Sequence, residues 1–151
     1  MKSYVIDVNV LFSGVLSQKE IYRIMFSNNT FYTPDFALIE LNKYREVILK
    51  KTKLEVKKLH DFTLYLFSKI IVVPDYIISE KAYKKAEKLC KNIDIKDVVY
   101  VALNEELGLE LLTRDKVLRN GLINQGYTKI LLFNDFINEI LKNERENKTM
   151  L

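Results

Sequence analysis

Four acidic residues, Asp7, Glu40, Asp97 and Asp115, stand where they could carry out chemistry together. Two of them follow apolar runs typical of buried strands, and the other two lie in segments with a helical pattern. Carboxylates gathered at one place repel one another unless divalent cations sit between them. A site of oxygen ligands alone selects Mg²⁺ or Mn²⁺. Such a cluster suits phosphodiester hydrolysis, in which metal ions activate water and stabilise the leaving oxygen.

The composition argues against other catalytic sites. The 151 residues include one His, one Cys, four Gly and two Pro. We expect His60 to be exposed on a helix and Cys90 to fill space in the core. The closest approach to a phosphate-binding glycine loop, residues 121–126, is followed by Tyr127 where that motif requires Lys. A histidine zinc site, a disulfide and a nucleotide cradle are therefore not expected.

Composition also bears on location and organisation. A single thiol indicates a reducing compartment, so we expect a cytoplasmic protein. We expect neither a signal peptide nor a membrane span, because no apolar run is long enough. The net charge of +4 favours an anionic partner, while the 48% hydrophobic content indicates an ordered domain. We expect one domain over residues 1–143, followed by a polar, frayed tail over 144–151.

Five apolar runs predict the strands that must position the acids, over residues 4–8, 31–32, 70–73, 109–113 and 130–133. Helical segments alternate with them. This order predicts an α/β domain of three layers, α/β/α, with a central parallel sheet of about five strands. Ligands bind such sheets beyond the carboxyl ends of strands, near the switch in strand order, so Asp7 and Asp115 should share one edge.

Capping patterns predict where the helices begin. Residues 17–20 form a capping box, Thr33 and Pro34 read as the N-cap and first residue of a long helix, and Ser79 and Asn134 read as further N-caps. Gly108 is expected to end the most apolar helix. The corresponding helices are predicted over about residues 9–16, 18–26, 34–50, 53–68, 80–90, 98–107, 115–122 and 135–142.

Each acid can also be weighed against a purely structural interpretation. Asp7 within a buried strand should need a partner cation, because burying an unpaired carboxylate costs several kcal/mol. Asp115 could simply cap the helix that follows it. Glu40 falls on the apolar arc of its helix and should point inward. Asp97 begins an apolar helix, but with Asp94 as N-cap it could instead complete a capping box.

Four segments resemble the motifs of one family in order and spacing. Residues 5–11 resemble the opening strand of a PIN domain with its D-x-N, and residues 34–41, with Glu40 before Leu41, resemble its second motif. Residues 97–102 and 111–115 resemble the third and fourth. Over about residues 4–116 the chain is thus similar to PIN domains, a metal-dependent ribonuclease fold used by VapC-type toxins and RNA-processing enzymes.

The resemblance implies roles for these residues. It makes Asp7, Glu40, Asp97 and Asp115 the catalytic, metal-binding acids for Mg²⁺ or Mn²⁺. It implies homodimers and, in the toxin branch, a small antitoxin protein that blocks the groove. Supporting residues would be Asn9 and Thr113, with Asp94 and Asp135 as further ligands at the rim.

Basic residues support RNA as the substrate. Arg114, Lys116 and Arg119 flank Asp115, where they could hold a phosphate backbone. Lysines also cluster elsewhere, but each cluster reads equally well as a solvated helix face. These clusters are Lys50, Lys51, Lys53, Lys57 and Lys58, and Lys81, Lys84, Lys85, Lys88 and Lys91.

Three functions compete at this point. The first is a Mg²⁺/Mn²⁺-dependent endoribonuclease, which includes the toxin of a toxin–antitoxin pair. The second is a PIN-fold RNA-binding, processing or assembly module without turnover, against which the four acids argue. The third is a phosphatase, for which Asn9 stands where a second Asp would be needed.

Overall fold

The computed structural model describes residues 1–17, 19–51 and 56–151. Its centre is a five-stranded sheet in the order β3-β2-β1-β4-β5, with every pair parallel. The predicted central sheet is confirmed. The switch in strand order falls at β1, which pairs with β2 on one side and β4 on the other. The strands are β1 (Lys2–Ile6), β2 (Asn29–Pro34), β3 (Ile70–Val73), β4 (Glu110–Thr113) and β5 (Ile130–Leu132).

Helices connect the strands and cover both faces of the sheet. Two 3₁₀ turns, Asp75–Ile77 and Ile95–Asp97, precede helices in the second half of the chain. Within the described ranges the α-helices are α1 (Val8–Ser17), α2 (Glu20–Asn28), α3 (Phe36–Lys43), α4 (Arg45–Lys51), α5 (Val56–Lys69), α6 (Glu80–Cys90), α7 (Val98–Leu107), α8 (Lys116–Asn124) and α9 (Phe133–Thr149).

Two apolar cores confirm the three layers. Successive strand residues point to opposite faces, so Val5 enters one core while Tyr4 and Ile6 enter the other. The first core is closed by buried residues of α3, α6, α7 and α8, and the second by those of α1, α2, α5 and α9. Because both faces are covered, the strands read as continuous apolar runs. The apolar runs in the sequence therefore predicted strands that are buried on both faces.

Two predicted helix starts are wrong. Ser17 is the last residue of α1, and Lys19 precedes α2 without a side-chain capping bond; Gln18 of the supposed capping box lies outside the described residues. Thr33 and Pro34 belong to β2. The buried Thr33 hydroxyl donates to the Ile6 carbonyl at 2.9 Å, so it serves the sheet and does not cap α3.

The long helix predicted over residues 34–50 is interrupted. Tyr44 leaves helical geometry, with φ −90° and ψ 7°, and separates α3 from α4. Its ring packs against Phe12 with 4.7 Å between centroids. This tertiary contact outweighs the local preference for a continuous helix. Lys53, expected to begin the next helix, lies outside the described residues, and α5 is described from Val56 onward.

The end of the chain differs from the expected frayed tail. Helix α9 begins at Phe133, so Asn134 is not its cap, and it continues to Thr149. The helix thus begins two residues earlier than predicted, and its first residue, Phe133, stacks its ring on Tyr22 with 5.6 Å between centroids. Residues 144–149 are helical because they lack Gly and Pro and include Glu, Arg and Lys, which favour helix. The local pattern had suggested a stop near Lys142.

Other helix boundaries agree with the prediction. Ser79 caps α6 by accepting a hydrogen bond from the Ala82 N–H at 3.1 Å. Gly108 follows α7 in the left-handed conformation, with φ 66°, which favours glycine. Across the described part of the chain, no helix is both long and apolar enough to cross a membrane.

Gly121 lies where α8 meets the loop before α7. A Cβ at this position would come within 2.6 Å of the Ile93 Cδ1 and 2.8 Å of its Cγ1. Alanine normally stabilises a helix relative to glycine by about 0.5–1 kcal/mol. We expect Gly121→Ala to destabilise this protein instead, by about 1–3 kcal/mol, because the core would be overpacked.

Urea unfolding of Gly121→Ala measures this effect. Asn120→Ala, at an exposed position of the same helix, is the control and should change the unfolding free energy by less than about 0.5 kcal/mol. A Gly121→Ala protein more stable than the wild type would contradict the close packing of α8 on Ile93.

Candidate active site

Asp7 lies between β1 and α1, at the carboxyl edge of the sheet, and its side chain is 5% exposed. Its Oδ1 accepts a hydrogen bond from the Val10 N–H at 3.1 Å and so caps α1. Its Oδ2 accepts one from the Thr113 hydroxyl at 2.5 Å. Neutral donors thus hold this carboxylate, but burial still raises the pKa of Asp7 to about 6, so the partner cation expected for it stays a prediction.

Thr113 joins Asp7 to Asp115. Its fully buried hydroxyl donates to Asp7 and accepts from the backbone N–H of Asp115 at 3.1 Å. Asp115 is half-buried, and its Oδ1 accepts from the Leu118 N–H at 3.0 Å, which caps α8. The capping interpretation of Asp115 is thus correct, and the cap brings the carboxylate to the edge where Asp7 lies.

Glu40 points inward from α3, as its helical position predicted. The side chain is half-buried, and Oε1 accepts a hydrogen bond from the Tyr100 hydroxyl at 2.7 Å. Burial and the neighbouring Glu40 carboxylate raise the pKa of the Tyr100 phenol far above its usual range, so it stays a donor. Sequence reasoning missed Tyr100. One available sign was a hydroxyl in an otherwise apolar helix, since a buried tyrosine hydroxyl needs a partner.

Asp97 does not belong to a capping box. Asp94 caps the 3₁₀ turn Ile95–Asp97 by accepting from the Lys96 N–H at 2.9 Å. Asp97 stands at the N-cap position of α7 but makes no side-chain capping bond. Its Oδ2 is buried and has no hydrogen-bond partner. An unsatisfied buried carboxylate oxygen is costly, so this atom needs an explanation outside the packing of the fold.

Burial and neighbouring acids raise the pKa of two of the four acids, Asp97 and Asp7. Burial, followed by repulsion from Asp94, Asp115, Asp7 and Glu40, raises the pKa of Asp97 to about 7. Burial raises the pKa of Asp7 to about 6, and repulsion from Asp115 adds to the rise. Hydrogen bonds from Thr113 and from backbone N–H groups oppose that rise without cancelling it. The chain thus gathers negative charge where desolvation already disfavours it.

These residues have the chemistry to bind a hard divalent cation. The acids offer only oxygen atoms, and the unpartnered Asp97 Oδ2 is an atom that a cation would satisfy. Over residues 1–17, 19–51 and 56–151, no three Asp, Glu, His or Cys side chains are close enough to hold an ion together as they stand. Mg²⁺ usually keeps several waters and uses one or two carboxylates. The acids therefore fit a hydrated ion better than a closed protein cage.

The other expected ligands, Asn9, Asp94 and Asp135, are all exposed. Asn9 is exposed in the first turn of α1, and its backbone N–H, not its amide side chain, faces Asp7. Asp94 is exposed and acts on Asp97 through its charge. Asp135 is exposed in the first turn of α9. Of the predicted supporting residues, only Thr113 touches an acid with its side chain.

The three basic residues follow β4 around Asp115. Arg114 is exposed, and its guanidinium lies over the Phe133 ring, 5.9 Å from the centroid. Lys116 is exposed in the first turn of α8. Arg119 is half-buried one turn later and donates to the Asn120 side chain at 3.0 Å. The three cations are thus next to Asp115 along the chain.

Fold and site together define a class of α/β proteins with an acidic centre at the topological switch of a parallel sheet. The PIN domain sequence profile matches residues 5–134, which include all four acids. The chain belongs to the PIN domain family, whose members are generally nucleases.

Two solved structures share the fold at low sequence identity. PAE2754 from Pyrobaculum aerophilum has a TM-score of 0.62 and 12% identity, with 93% of this chain and 90% of that chain covered. VapBC2 from Rickettsia felis, solved bound to a DNA fragment from its promoter, has a TM-score of 0.56 and 14% identity, with 86% and 96% covered. No curated protein sequence matches this chain significantly.

The raised pKa values make stability depend on pH in a defined direction. Asp7 and Asp97 hold protons in the folded state up to about pH 6 and 7, whereas unfolded Asp loses them near about pH 4. The folded state thus binds more protons between these values. Without metal, their contribution to stability falls as pH rises from about 4 to 7.

Asp97→Asn tests this charge effect. In EDTA, the variant should lose less stability than the wild type between about pH 5 and 8, and should be about 1 kcal/mol more stable at pH 8 after allowance for solvent screening. Thermal unfolding at several pH values measures it. Asp61→Asn, at an exposed position of α5, is the matched control and should follow the wild type. An Asp97→Asn protein less stable than the wild type at pH 8 would contradict this account.

Thr113→Val tests the hydroxyl that holds Asp7. The change leaves Asp7 Oδ2 buried without its donor, so we expect a loss of about 1–3 kcal/mol that grows with pH as the carboxylate ionises. Thr33→Val is the control, because its buried hydroxyl donates to a carbonyl that does not titrate. Urea unfolding at low and high pH measures the two losses. If both variants lost the same stability at each pH, the role of the Thr113 hydroxyl in holding Asp7 would be contradicted.

Proposed function

We propose that this chain is a Mg²⁺- or Mn²⁺-dependent endoribonuclease that hydrolyses phosphodiester bonds. Asp7, Glu40, Asp97 and Asp115 would hold the metal ions. The observation that carries the proposal is the buried Asp97 Oδ2 without a partner, in a carboxyl whose pKa is raised by burial and by four other acids, Asp94, Asp115, Asp7 and Glu40. The family, whose members are generally nucleases, supports the same activity.

The residues divide the work of hydrolysis. Bound metal ions supply an activated water and stabilise the leaving oxygen. Asp97 must lose its proton to act as a ligand, and a bound cation would favour that charged form against the burial and repulsion that raise its pKa. Thr113 keeps Asp7 oriented through the 2.5 Å hydrogen bond. Arg114, Lys116 and Arg119 would hold phosphates of the RNA beside the acids.

Electrostatics favours an enzyme over a binding or assembly module. Mutual repulsion and burial of the acids raise the pKa of Asp97 and Asp7, so the charges do not help the fold at neutral pH. Strongly perturbed acids of this kind cluster at functional sites. A module that only bound RNA would gain nothing from four acids next to its basic residues, because they repel phosphate.

The toxin of a toxin–antitoxin pair is the narrower form of this proposal. It draws on the structural likeness to VapBC2 and includes a homodimer and a small antitoxin protein as partners. Expression of the wild-type chain alone should then arrest bacterial growth, whereas Asp97→Asn should not. Growth unaffected by the active wild-type enzyme would favour RNA processing as the role.

RNA cleavage by the purified protein tests the activity. We expect cleavage of single-stranded or structured RNA with Mn²⁺ or Mg²⁺ and none in EDTA. Asp97→Asn should lower the rate by at least about 100-fold, because the amide lacks the negative charge of the proposed metal ligand. Gel analysis of end-labelled RNA measures the rate.

Asp61→Asn is again the control, since Asp61 is an exposed acid on α5, and its cleavage rate should equal that of the wild type. Cleavage that persists in EDTA, or that Asp97→Asn leaves undiminished, would refute the nuclease proposal. Hydrolysis of small phosphate esters in place of RNA would point to the phosphatase alternative.

A further inference from the structure

Tyr100 connects the elements that carry the acids. It lies in the first turn of α7 and is 2% exposed. Its hydroxyl donates to Glu40 Oε1 at 2.7 Å, which links α7 to α3. The backbone N–H of Val8, the residue after Asp7, faces the phenol oxygen. The buried hydroxyl thus binds the Glu40 carboxylate and lies next to the chain that follows Asp7.

Tyr100 also shares a helix face with Asp97. Residues three apart on a helix are neighbours on its surface, so the Tyr100 ring and the Asp97 carboxylate project to the same side of the chain. Tyr100 therefore stands between three acid-bearing segments without being charged itself.

Glu40 needs a partner from outside its own helix to fix the orientation of its side chain. Its helix, α3, is only eight residues long and ends just before the break at Tyr44. A free glutamate side chain has several rotamers, and fixing one of them costs conformational entropy. The Tyr100 hydroxyl holds Oε1, and the second oxygen, Oε2, is not used by this bond.

We propose that Tyr100 is a positioning residue for Glu40, which its hydroxyl holds in the orientation that binds the divalent cation. The inference rests on the proposed function, since it concerns the same acidic site. Partners that orient metal-binding carboxylates typically contribute about 10–100-fold to metal affinity. Tyr100 is thus expected to govern metal affinity more strongly than it governs folding.

The chain contains a matched tyrosine–glutamate pair for comparison. Tyr127 is 7% exposed, and its hydroxyl donates to Glu105 Oε2 at 3.2 Å. Glu105 lies in the last turn of the same helix, α7, and also pairs with Lys85 at 2.7 Å. This pair has the same chemistry as Tyr100 and Glu40 but is at the opposite end of the helix from Asp97.

Mn²⁺ titration calorimetry of Tyr100→Phe and Tyr127→Phe separates positioning from packing. We expect Tyr100→Phe to bind Mn²⁺ about tenfold more weakly or worse, and Tyr127→Phe to stay within about twofold of the wild type. Melting temperatures in EDTA should fall for both, since each loses a buried hydrogen bond. Titration at about 15 °C, near the usual maximum of stability, keeps the variants folded.

A double-mutant cycle tests whether Tyr100 acts through Glu40. In the Glu40→Gln background, Tyr100→Phe should change the Mn²⁺ affinity by less than about twofold, because the charge it positions is gone. A further tenfold loss in that background would overturn the inference. Equal Mn²⁺ affinity of Tyr100→Phe and the wild type would also overturn it.

The outcomes distinguish this inference from the nuclease proposal. If the wild type binds Mn²⁺ and cleaves RNA but Tyr100→Phe binds Mn²⁺ equally well, only the role of Tyr100 is refuted. If the wild type binds no Mn²⁺, both fail. A melting temperature lowered for both tyrosine variants, with Mn²⁺ affinity unchanged in both, would make Tyr100 a packing residue like Tyr127.

Discussion

The hydrogen bond between Thr113 and Asp7 is the constraint on which the rest of the site depends. A carboxylate with 5% exposure persists at the end of β1 because Thr113 donates to one oxygen and Val10 to the other. The parallel pairing of β1 with β4 places Thr113 there, with Ile6 beside Leu112. The same hydroxyl accepts from the Asp115 backbone, so one buried contact positions two acids and the start of two helices.

The acids at the carboxyl edge of the sheet lower the stability of the fold. Asp97 has a buried oxygen without a partner, and every charge that raises its pKa is another acid of the described chain. The apolar cores on both faces of the sheet must offset this penalty. The cores thus hold the elements in place, while the acids at the carboxyl edge lower the stability of the fold once they are ionised.

Local patterns predicted some features well and others badly. The switch in strand order placed Asp7 and Asp115 on one edge, and the helical period turned Glu40 inward, even though its helix breaks at Tyr44. Helix starts at Ser17, Thr33 and Asn134 were wrong because the chain uses those positions for other contacts. A capping pattern describes what a segment can do alone, and burial against neighbours decided otherwise.

The sequence by itself determined the alternation of strands and helices, the two-sided burial of the sheet and the placement of Asp7 and Asp115 at the ends of two strands. Those features are encoded in residue type and short-range period. Only the tertiary structure decided which groups hold the acids: Thr113 reaches Asp7 across 106 positions and Tyr100 reaches Glu40 across 60. Such pairs depend on strand register and helix placement, and no local pattern specifies the distance between two side chains that meet only in the folded chain.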